Sequence, residues 1–158
     1  MTTLQVGDKA PEFTLSAQSG PIGLSDFQGK ALVLYFYPKD DTSGCTREAQ
    51  DFSALAGEFE AAGVHLLGVS KDSVASHAKF IGKYDLTIPL ASDPEGQTVE
   101  AYGAWVEKNM YGRKYMGIDR STFLIGPDGT LAQVWRKVKV PGHAAEVLDS
   151  ARKFFANY

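Results

Sequence analysis

The sequence predicts an α/β domain in which helices flank a central mixed β-sheet. The chain has 158 residues, the usual size of one domain, so we expect a single domain over residues 1–158. Two apolar, β-prone segments are each followed by a segment with apolar residues at helical spacing. A hairpin and one closing helix then complete an order of elements that is typical of a mixed sheet covered by helices.

The first half of the chain contains the strands that we expect at the centre of the sheet. Phe13–Leu15 predicts a short strand, and Gly20-Pro21 predicts a turn after it. The continuous apolar run Lys30–Tyr37 is typical of a strand buried on both faces. Val64–Val69 predicts a second strand of the same kind.

Four helices are predicted from apolar residues that recur every three or four positions. The first begins at Cys45 and ends before Gly63, a residue type that commonly follows a helix. The others are predicted over Ser73–Tyr84, Glu95–Tyr102 and Ala144–Phe155.

The second half of the chain has a weaker pattern. Ile88–Leu90 predicts a short strand, and Ala104–Ile118 predicts a long loop or an irregular hairpin. Ser121–Ile125 and Leu131–Trp135 flank the turn residues Pro127-Asp128-Gly129, which predicts a regular hairpin.

Composition and charge exclude several classes of function. The formal net charge is −3, and a weakly acidic chain is not suited to neutralising phosphates. The longest apolar run, Ala31–Tyr37, is too short to span a membrane. The first residues, Met1–Gln5, lack the basic and apolar regions of a secretory leader. We therefore expect a cytoplasmic protein that has neither nucleic acid nor a membrane as its partner.

Cys45 is the residue that the sequence most favours as a reactive group. It follows a buried strand and a tight loop and lies in the first turn of a helix, where free N–H groups and the helix dipole favour the thiolate. A lone cysteine is more often a small buried core residue. Cys45, however, stands among polar neighbours and not on an apolar stripe. Thr42 can direct its hydroxyl towards the same place, and Pro38 shapes the loop.

The segment Tyr35–Glu48 resembles the active site of a peroxiredoxin, most closely that of the bacterioferritin comigratory protein, or peroxiredoxin Q, branch. The family motif is present at Pro38, Thr42 and Cys45. Residues 7–15 resemble the opening of the family, and residues 119–125 resemble the strand that carries its arginine. These motifs are separated and in the right order, and the resemblance covers nearly the whole chain.

The resemblance implies a thioredoxin-like fold and a thiol-dependent peroxidase without a cofactor. In such an enzyme Cys45 would reduce hydrogen peroxide and organic hydroperoxides and become a sulfenic acid. Thr42 would hydrogen-bond the peroxide, Arg120 would stabilise the thiolate, and Pro38 would shield the pocket. Glu48 would orient an arginine. From the residues alone, the favoured interpretation of Arg120 is a surface cation at a strand end.

The chain departs from the family pattern because it has no second cysteine. The two positions where relatives carry a resolving cysteine correspond to Gln50 and to a position near Ile81. The resemblance therefore implies recycling by an external thiol, such as thioredoxin or glutaredoxin. We expect a monomer or weak dimer.

Other functions remain open at this point. A peroxide sensor would use the same sulfenic acid without turnover, and a non-catalytic thioredoxin-like domain would not use Cys45 at all. A dithiol oxidoreductase needs a Cys-x-x-Cys pair, which is absent. The three histidines, His65, His77 and His143, lack the spacing of metal ligands, so we expect no metal site.

Overall fold

The computed structural model describes residues 4–155. In that range it has nine strands: β1 (Thr14–Ala17), β2 (Gly20–Gly23), β3 (Ala31–Phe36), β4 (Val64–Ser70), β5 (Leu90–Ser92), β6 (Trp105–Met110), β7 (Arg113–Ile118), β8 (Ser121–Ile125) and β9 (Leu131–Trp135). The helices are α1 (Ser43–Ala61), α2 (Val74–Tyr84), α3 (Gln97–Ala101) and α4 (His143–Phe155). A short 3-10 helix at Leu24–Phe27 follows β2.

Seven strands form one mixed sheet in the order β2-β1-β5-β4-β3-β8-β9. The β3–β4 and β4–β5 pairs are parallel, and the remaining pairs of this sheet are antiparallel. Helix α1 connects β3 to β4 and α2 connects β4 to β5, as parallel neighbours require. The predicted mixed sheet flanked by helices is confirmed.

Two apolar cores lie on opposite faces of this sheet, and β3 contributes to both. Its alternate residues Val33 and Tyr35 pack with α1, α2 and α4, whereas Leu34 and Phe36 pack with α3 and the N-terminal segment. All six residues of β3 are buried. A strand covered on both faces needs a continuous apolar run, which explains the Ala31–Phe36 sequence.

Two predictions for irregular segments were wrong. Gly20-Pro21 does not form the turn after β1, because the turn lies at residues 18–19 and Gly20 and Pro21 belong to the edge strand β2. The segment Ala104–Ile118 is not a loop or an irregular hairpin. It is a regular antiparallel ribbon of β6 and β7. Neither β6 nor β7 has a continuous buried face, so their sequences lack the alternation of apolar and polar residues that predicts a strand.

The other differences concern the ends of elements. The third helix is shorter than predicted, at Gln97–Ala101, and β5 begins at Leu90 and not at Ile88. Phe155 is the buried member of the C-terminal pair, and Phe154 is exposed. No helix within residues 4–155 has the length and apolar character needed to cross a membrane. The prediction of a single domain over residues 1–158 and the prediction that Met1–Gln5 is not part of a secretory leader both involve residues outside the described range. Both therefore stay predictions.

Gly68 lies where the side chains of the two neighbouring strands leave no room for a Cβ on β4. It pairs with Tyr35 of β3 and Leu90 of β5. A Cβ at position 68 would lie 2.7 Å from Tyr35 Cζ and 2.8 Å from Leu90 Cδ2. Both neighbours are fully buried, so the glycine is required for the packing of this face.

We expect Gly68→Ala to lower the free energy of unfolding by about 1–3 kcal/mol through overpacking. Urea unfolding followed by circular dichroism would measure this. Gly57→Ala is the matched control, because Gly57 is an exposed position in α1 with open space around its Cα. It should raise the free energy of unfolding by about 0.5–1 kcal/mol. Equal effects of the two substitutions would contradict the packing role of Gly68.

His143 begins α4 and is buried against two aromatic rings. Its Nε2 lies 2.8 Å from Thr122 Oγ1, and its ring meets those of Phe52 and Trp135 edge-on. Burial lowers the pKa of His143 to about 4; the neighbouring Glu146 opposes this shift, and Arg120 adds to it. The folded protein therefore holds a neutral imidazole at pH values where an unfolded chain would bind a proton.

Acid should consequently destabilise the fold through His143. Because the pKa is lower in the folded state, the unfolded chain binds more protons between about pH 6.5 and 4, and stability is lost as the pH falls through that window. The loss from this residue is at most roughly 3 kcal/mol. His143→Gln should flatten the dependence of the free energy of unfolding on pH. An unchanged slope in His143→Gln would show that His143 does not titrate in this way.

Candidate active site

Cys45 is the third residue of α1 and lies just beyond the end of the central strand β3. Residues 38–44, here called the Cys45 loop, carry the chain from that strand into the helix. Thr42 is the N-cap residue, and the first helical hydrogen bond runs from Thr46 N–H to its carbonyl. The N–H groups of the first turn thus precede the hydrogen-bonded ladder, and a negative charge on sulfur is favoured there. Cys45 is only 2% exposed.

Arg120 lies beside Cys45 because β8 runs antiparallel to β3. Ser121 at the start of β8 pairs with Phe36 at the end of β3, which brings the residue before β8 to the edge where α1 begins. The Arg120 Nη2 donates a hydrogen bond to Cys45 Sγ at 3.3 Å. The side chain of Arg120 is 16% exposed, so this cation is largely removed from solvent. Its placement excludes the interpretation as a surface cation.

Glu48 accepts a hydrogen bond from the second terminal nitrogen of the same guanidinium. Arg120 Nη1 donates to Glu48 Oε1 at 2.7 Å, and the carboxylate is 1% exposed. Glu48 Oε2 is buried and lacks a hydrogen-bond partner among the described residues. Burial raises the pKa of Glu48 to about 7, against the opposing charge and hydrogen bond of Arg120. For Arg120, burial acts to lower the pKa, but Glu48 and Cys45 outweigh it and raise that pKa.

Gly44 is a site residue that the sequence analysis missed. A Cβ at this position would lie 3.2 Å from Arg120 Nη2, tighter than ordinary contact. Gly44 therefore lets the guanidinium approach the first turn of α1. A glycine in the first turn of a helix, where glycine is unfavourable unless close approach requires it, is the signal that could have indicated Gly44.

Thr42 and Pro38 lie in the Cys45 loop, and among the described residues the sulfur is hydrogen-bonded to Arg120 and to neither of them. Thr42 is exposed, and its hydroxyl donates to the carbonyl of Lys39 at 2.9 Å. Pro38 is half-buried directly after β3. The site thus brings Cys45, Arg120 and Glu48 into one hydrogen-bonded chain, with Thr42 and Pro38 on the segment that leads into it.

A second polar cluster, which the sequence analysis did not find, joins the Cys45 loop to α2. Asp40 Oδ2 lies 2.7 Å from His77 Nδ1 and accepts a hydrogen bond from Ser76 at 2.8 Å. Asp40 Oδ1 accepts one from Tyr37 at 2.6 Å. Asp40 and His77 are both buried. Single residues of these types carry no sequence signal, because their partners lie on another element.

The geometry at Cys45 is suited to nucleophilic chemistry of a thiolate. A cation and fixed N–H donors stabilise negative charge on sulfur and on an atom bound to it. Within residues 4–155 no group of three histidine, cysteine, aspartate or glutamate side chains is arranged to hold a metal ion. His65, His77 and His143 lie on β4, α2 and α4.

Comparison with known proteins identifies the relatives of this chain. Residues 6–134 match the AhpC/TSA family. The chain is 46% identical over 151 residues to peroxiredoxin Bcp of Bacillus subtilis, covering 95% of this chain and 96% of that protein. A serine variant of Xylella fastidiosa peroxiredoxin Q is similar in structure, with a TM-score of 0.91, 41% identity and coverage of 98% and 99%.

A further solved structure bears on the activity. It is that of the Xanthomonas campestris bacterioferritin comigratory protein, determined to explain its alkyl peroxide reduction activity. The match has a TM-score of 0.88 and 44% identity, and covers 98% of this chain and 99% of that one. These neighbours confirm the predicted thioredoxin-like fold.

The relatives also show what this chain lacks. Peroxiredoxin Q of Xanthomonas campestris has been solved with either of two cysteines replaced by serine, so that protein has at least two cysteines. The present chain has one. The spacing between those two positions, counted on from Cys45, falls on Ile81 in α2. Ile81 is half-buried and packs against the core on the α1 side of the sheet.

Replacing Arg120 should slow the oxidation of Cys45 by hydrogen peroxide. Arg120→Met keeps an unbranched, flexible side chain but removes the guanidinium and its hydrogen bond to sulfur. A lost charge-assisted contact is worth roughly 1.5–3 kcal/mol, or about one to two orders of magnitude in rate. Rapid mixing under single-turnover conditions, with trapping of the oxidised cysteine, would measure the second-order rate constant.

Arg47→Met is the control for that experiment. Arg47 is a cation two residues from Cys45 on the same helix, but its side chain is 71% exposed and pairs with Asp51. Exposed pairs of this kind contribute little, so the rate should change by less than about twofold. If both variants reacted as fast as the wild type, Arg120 would have no role in activating the sulfur.

Proposed function

Because the chain belongs to the AhpC/TSA family and to its bacterioferritin comigratory protein, or peroxiredoxin Q, branch, we propose that it reduces hydroperoxides through a sulfenic acid on Cys45 and is recycled by an external thiol. Family membership makes the chain a peroxidase. The residue-level mechanism, the reductant and the range of peroxides are the parts that we propose. One observation carries the mechanism: the Arg120 guanidinium is hydrogen-bonded to both Cys45 Sγ and Glu48.

In the first step the thiolate attacks the terminal oxygen of the peroxide. A sulfur–oxygen bond forms, the oxygen–oxygen bond breaks, and two electrons pass from sulfur to oxygen. The leaving alkoxide or hydroxide takes up a proton and departs as an alcohol or water. Arg120 stabilises the thiolate and then the charge that moves onto oxygen. Glu48 acts by keeping the guanidinium in place, and its carboxyl group does not contact the sulfur in any described interaction.

The hydroxyl oxygen of Thr42 would orient the peroxide by accepting a hydrogen bond from it. Its hydroxyl hydrogen is already donated to the carbonyl of Lys39, so its oxygen is left to accept from the peroxide O–H. This role differs from that of Arg120, which can only donate. Pro38 would shield the pocket from the β3 side. Together these groups bind both ends of a small hydroperoxide, and the Xanthomonas relative's alkyl peroxide reduction supports organic hydroperoxides as substrates.

In the second step a thiol must come from outside the chain. The sulfenic acid condenses with that thiol to a mixed disulfide and water, and a second thiol then releases Cys45 as thiol. Gln50 and Ile81, at the positions of possible resolving cysteines, cannot replace the external thiol. Thioredoxin or glutaredoxin would supply it. We also propose a cytoplasmic monomer or weak dimer that folds as one domain.

The products of one equivalent of peroxide test this mechanism. Intact-protein mass should rise by one oxygen, because no second thiol in the chain can convert the sulfenic acid into an internal disulfide. Excess peroxide without a reductant should drive Cys45 on to sulfinic and sulfonic acid. Excess peroxide with a thioredoxin, glutaredoxin or glutathione system should instead give continued turnover with at least one of them.

Cys45→Ser is the control and should abolish peroxide consumption while leaving the circular dichroism spectrum unchanged. Retained turnover in that variant would refute the assignment of Cys45. A wild-type protein that stops after one equivalent with every reductant would be a sensor and not a peroxidase. Rapid and quantitative formation of a covalent dimer at low protein concentration would show that a second copy supplies the thiol.

A further inference from the structure

The buried cluster around Asp40 has no described hydrogen bond to Cys45, Arg120 or Glu48, yet it is attached to the loop that leads to Cys45. Asp40 belongs to the Cys45 loop, whereas His77 and Ser76 belong to α2. The His77 side chain is 0% exposed and that of Asp40 is 4% exposed. Ionisable groups are rarely this deeply buried unless they are paired, so the contact needs an explanation.

The hydrogen bonds of this pair are fully satisfied inside the protein. His77 Nε2 lies 3.0 Å from the carbonyl oxygen of Ala91, which can only accept, so Nε2 donates to it. The 2.7 Å separation of His77 Nδ1 and Asp40 Oδ2 is also that of a hydrogen bond. Burial acts to raise the pKa of Asp40, but the hydrogen bonds from His77, Tyr37 and Ser76 outweigh burial and lower that pKa. The cluster is thus a hydrogen-bonded Asp–His pair enclosed by protein.

This pair ties the loop to two other elements. Through His77 it reaches α2 and the carbonyl of Ala91 in β5. The backbone N–H of Asp40 also donates to Asp72 Oδ2 at 2.8 Å, in the segment between β4 and α2. The loop therefore cannot move away from α2 without exposing or breaking a buried hydrogen-bonded pair, which is costly because each polar group would lose its partner.

Movement of this loop is nevertheless needed after oxidation. Cys45 is 2% exposed, and Arg120 covers its sulfur with a hydrogen bond. A hydroperoxide is small, but the sulfur of an external thiol carries a protein or peptide with it. The loop and the first turn of α1 must open before such a thiol can reach the oxidised Cys45.

We propose that the Asp40–His77 pair is a latch that holds the Cys45 loop closed for the reaction with peroxide and limits the access of external thiols to the oxidised sulfur. Asp40 and His77 are positioning residues in this proposal, because neither contacts the reacting atoms. The thiol step rests on the proposed function, whereas the closing of the loop does not. Breaking the latch should therefore slow oxidation and speed the thiol step.

The single thiol of the chain allows the latch to be tested without any peroxide. Cys45 would be labelled with a bulky aromatic disulfide, 5,5′-dithiobis(2-nitrobenzoic acid), and in parallel with the small reagent methyl methanethiosulfonate. Both reagents need the thiolate, so the ratio of their rates reports access and not reactivity. Asp40→Asn should raise the ratio of bulky to small labelling roughly tenfold, through loss of a charge-assisted contact.

Two further variants make the test specific. Asp41→Asn is the matched control, because Asp41 is the next residue of the same loop and also contacts α2, through Lys83 and Tyr84, but with a side chain that is 42% exposed. The ratio of bulky to small labelling in Asp41→Asn should stay within about twofold of that of the wild type. Ser76→Ala removes one neutral donor to Asp40 but leaves the contact between Asp40 and His77 in place, and it should raise the ratio a few-fold. If Asp40→Asn does not fold, the labelling ratio of Ser76→Ala alone tests the latch.

The same variants would then be followed through both half-reactions. Asp40→Asn should be oxidised by hydrogen peroxide several-fold more slowly, and its sulfenic acid should react faster with a protein thiol. A purely structural contact would lower the melting temperature and leave both rates unchanged below it. The latch is refuted if the labelling ratio of neither Asp40→Asn nor Ser76→Ala rises above that of Asp41→Asn. A wild type inactive towards peroxide would refute the proposed function, and the labelling ratio would still decide the latch.

Discussion

The guanidinium of Arg120 is the interaction on which the geometry of the site depends. It is a largely buried cation, and such a cation is stable only when its lost hydration is replaced. Cys45 Sγ and Glu48 Oε1 supply that replacement from the first turns of α1. Because the cation comes from the segment before β8 and both acceptors come from α1, the contact fixes the helix against the far half of the chain. Gly44 contributes by leaving room for it.

The residues of this site that could be proposed from the sequence itself are those that lie within a few positions of one another. Pro38, Thr42 and Cys45 are close in sequence, and a buried strand followed by a polar loop and an amphipathic helix is a local pattern. Arg120 was found only through a resemblance, since its role depends on the pairing of β3 with β8. The same limit explains the missed ribbon of β6 and β7, whose strands are stabilised by each other and carry mostly exposed side chains.

The buried pair of Asp40 and His77 could not be predicted for a related reason. A histidine on a helix and an aspartate in a loop are each ordinary residues, and they meet only because α2 packs on the same face of the sheet as α1. The segment from Asp40 to Glu48 therefore has polar contacts with two other parts of the chain. Arg120, from the segment before β8, is hydrogen-bonded to Cys45 and Glu48, and His77 of α2 is hydrogen-bonded to Asp40.

The order of the elements along the chain has a consequence for biosynthesis. A ribosome releases β3, α1, β4 and α2 well before the segment that contains Arg120. A nascent chain of that length has its cysteine and the helix that bears it, but not the guanidinium that hydrogen-bonds to the sulfur. In the mechanism proposed above, Cys45 would therefore gain its reactivity towards peroxide only when β8 docks beside β3. The pairing of β3 with β8 would then also complete the site.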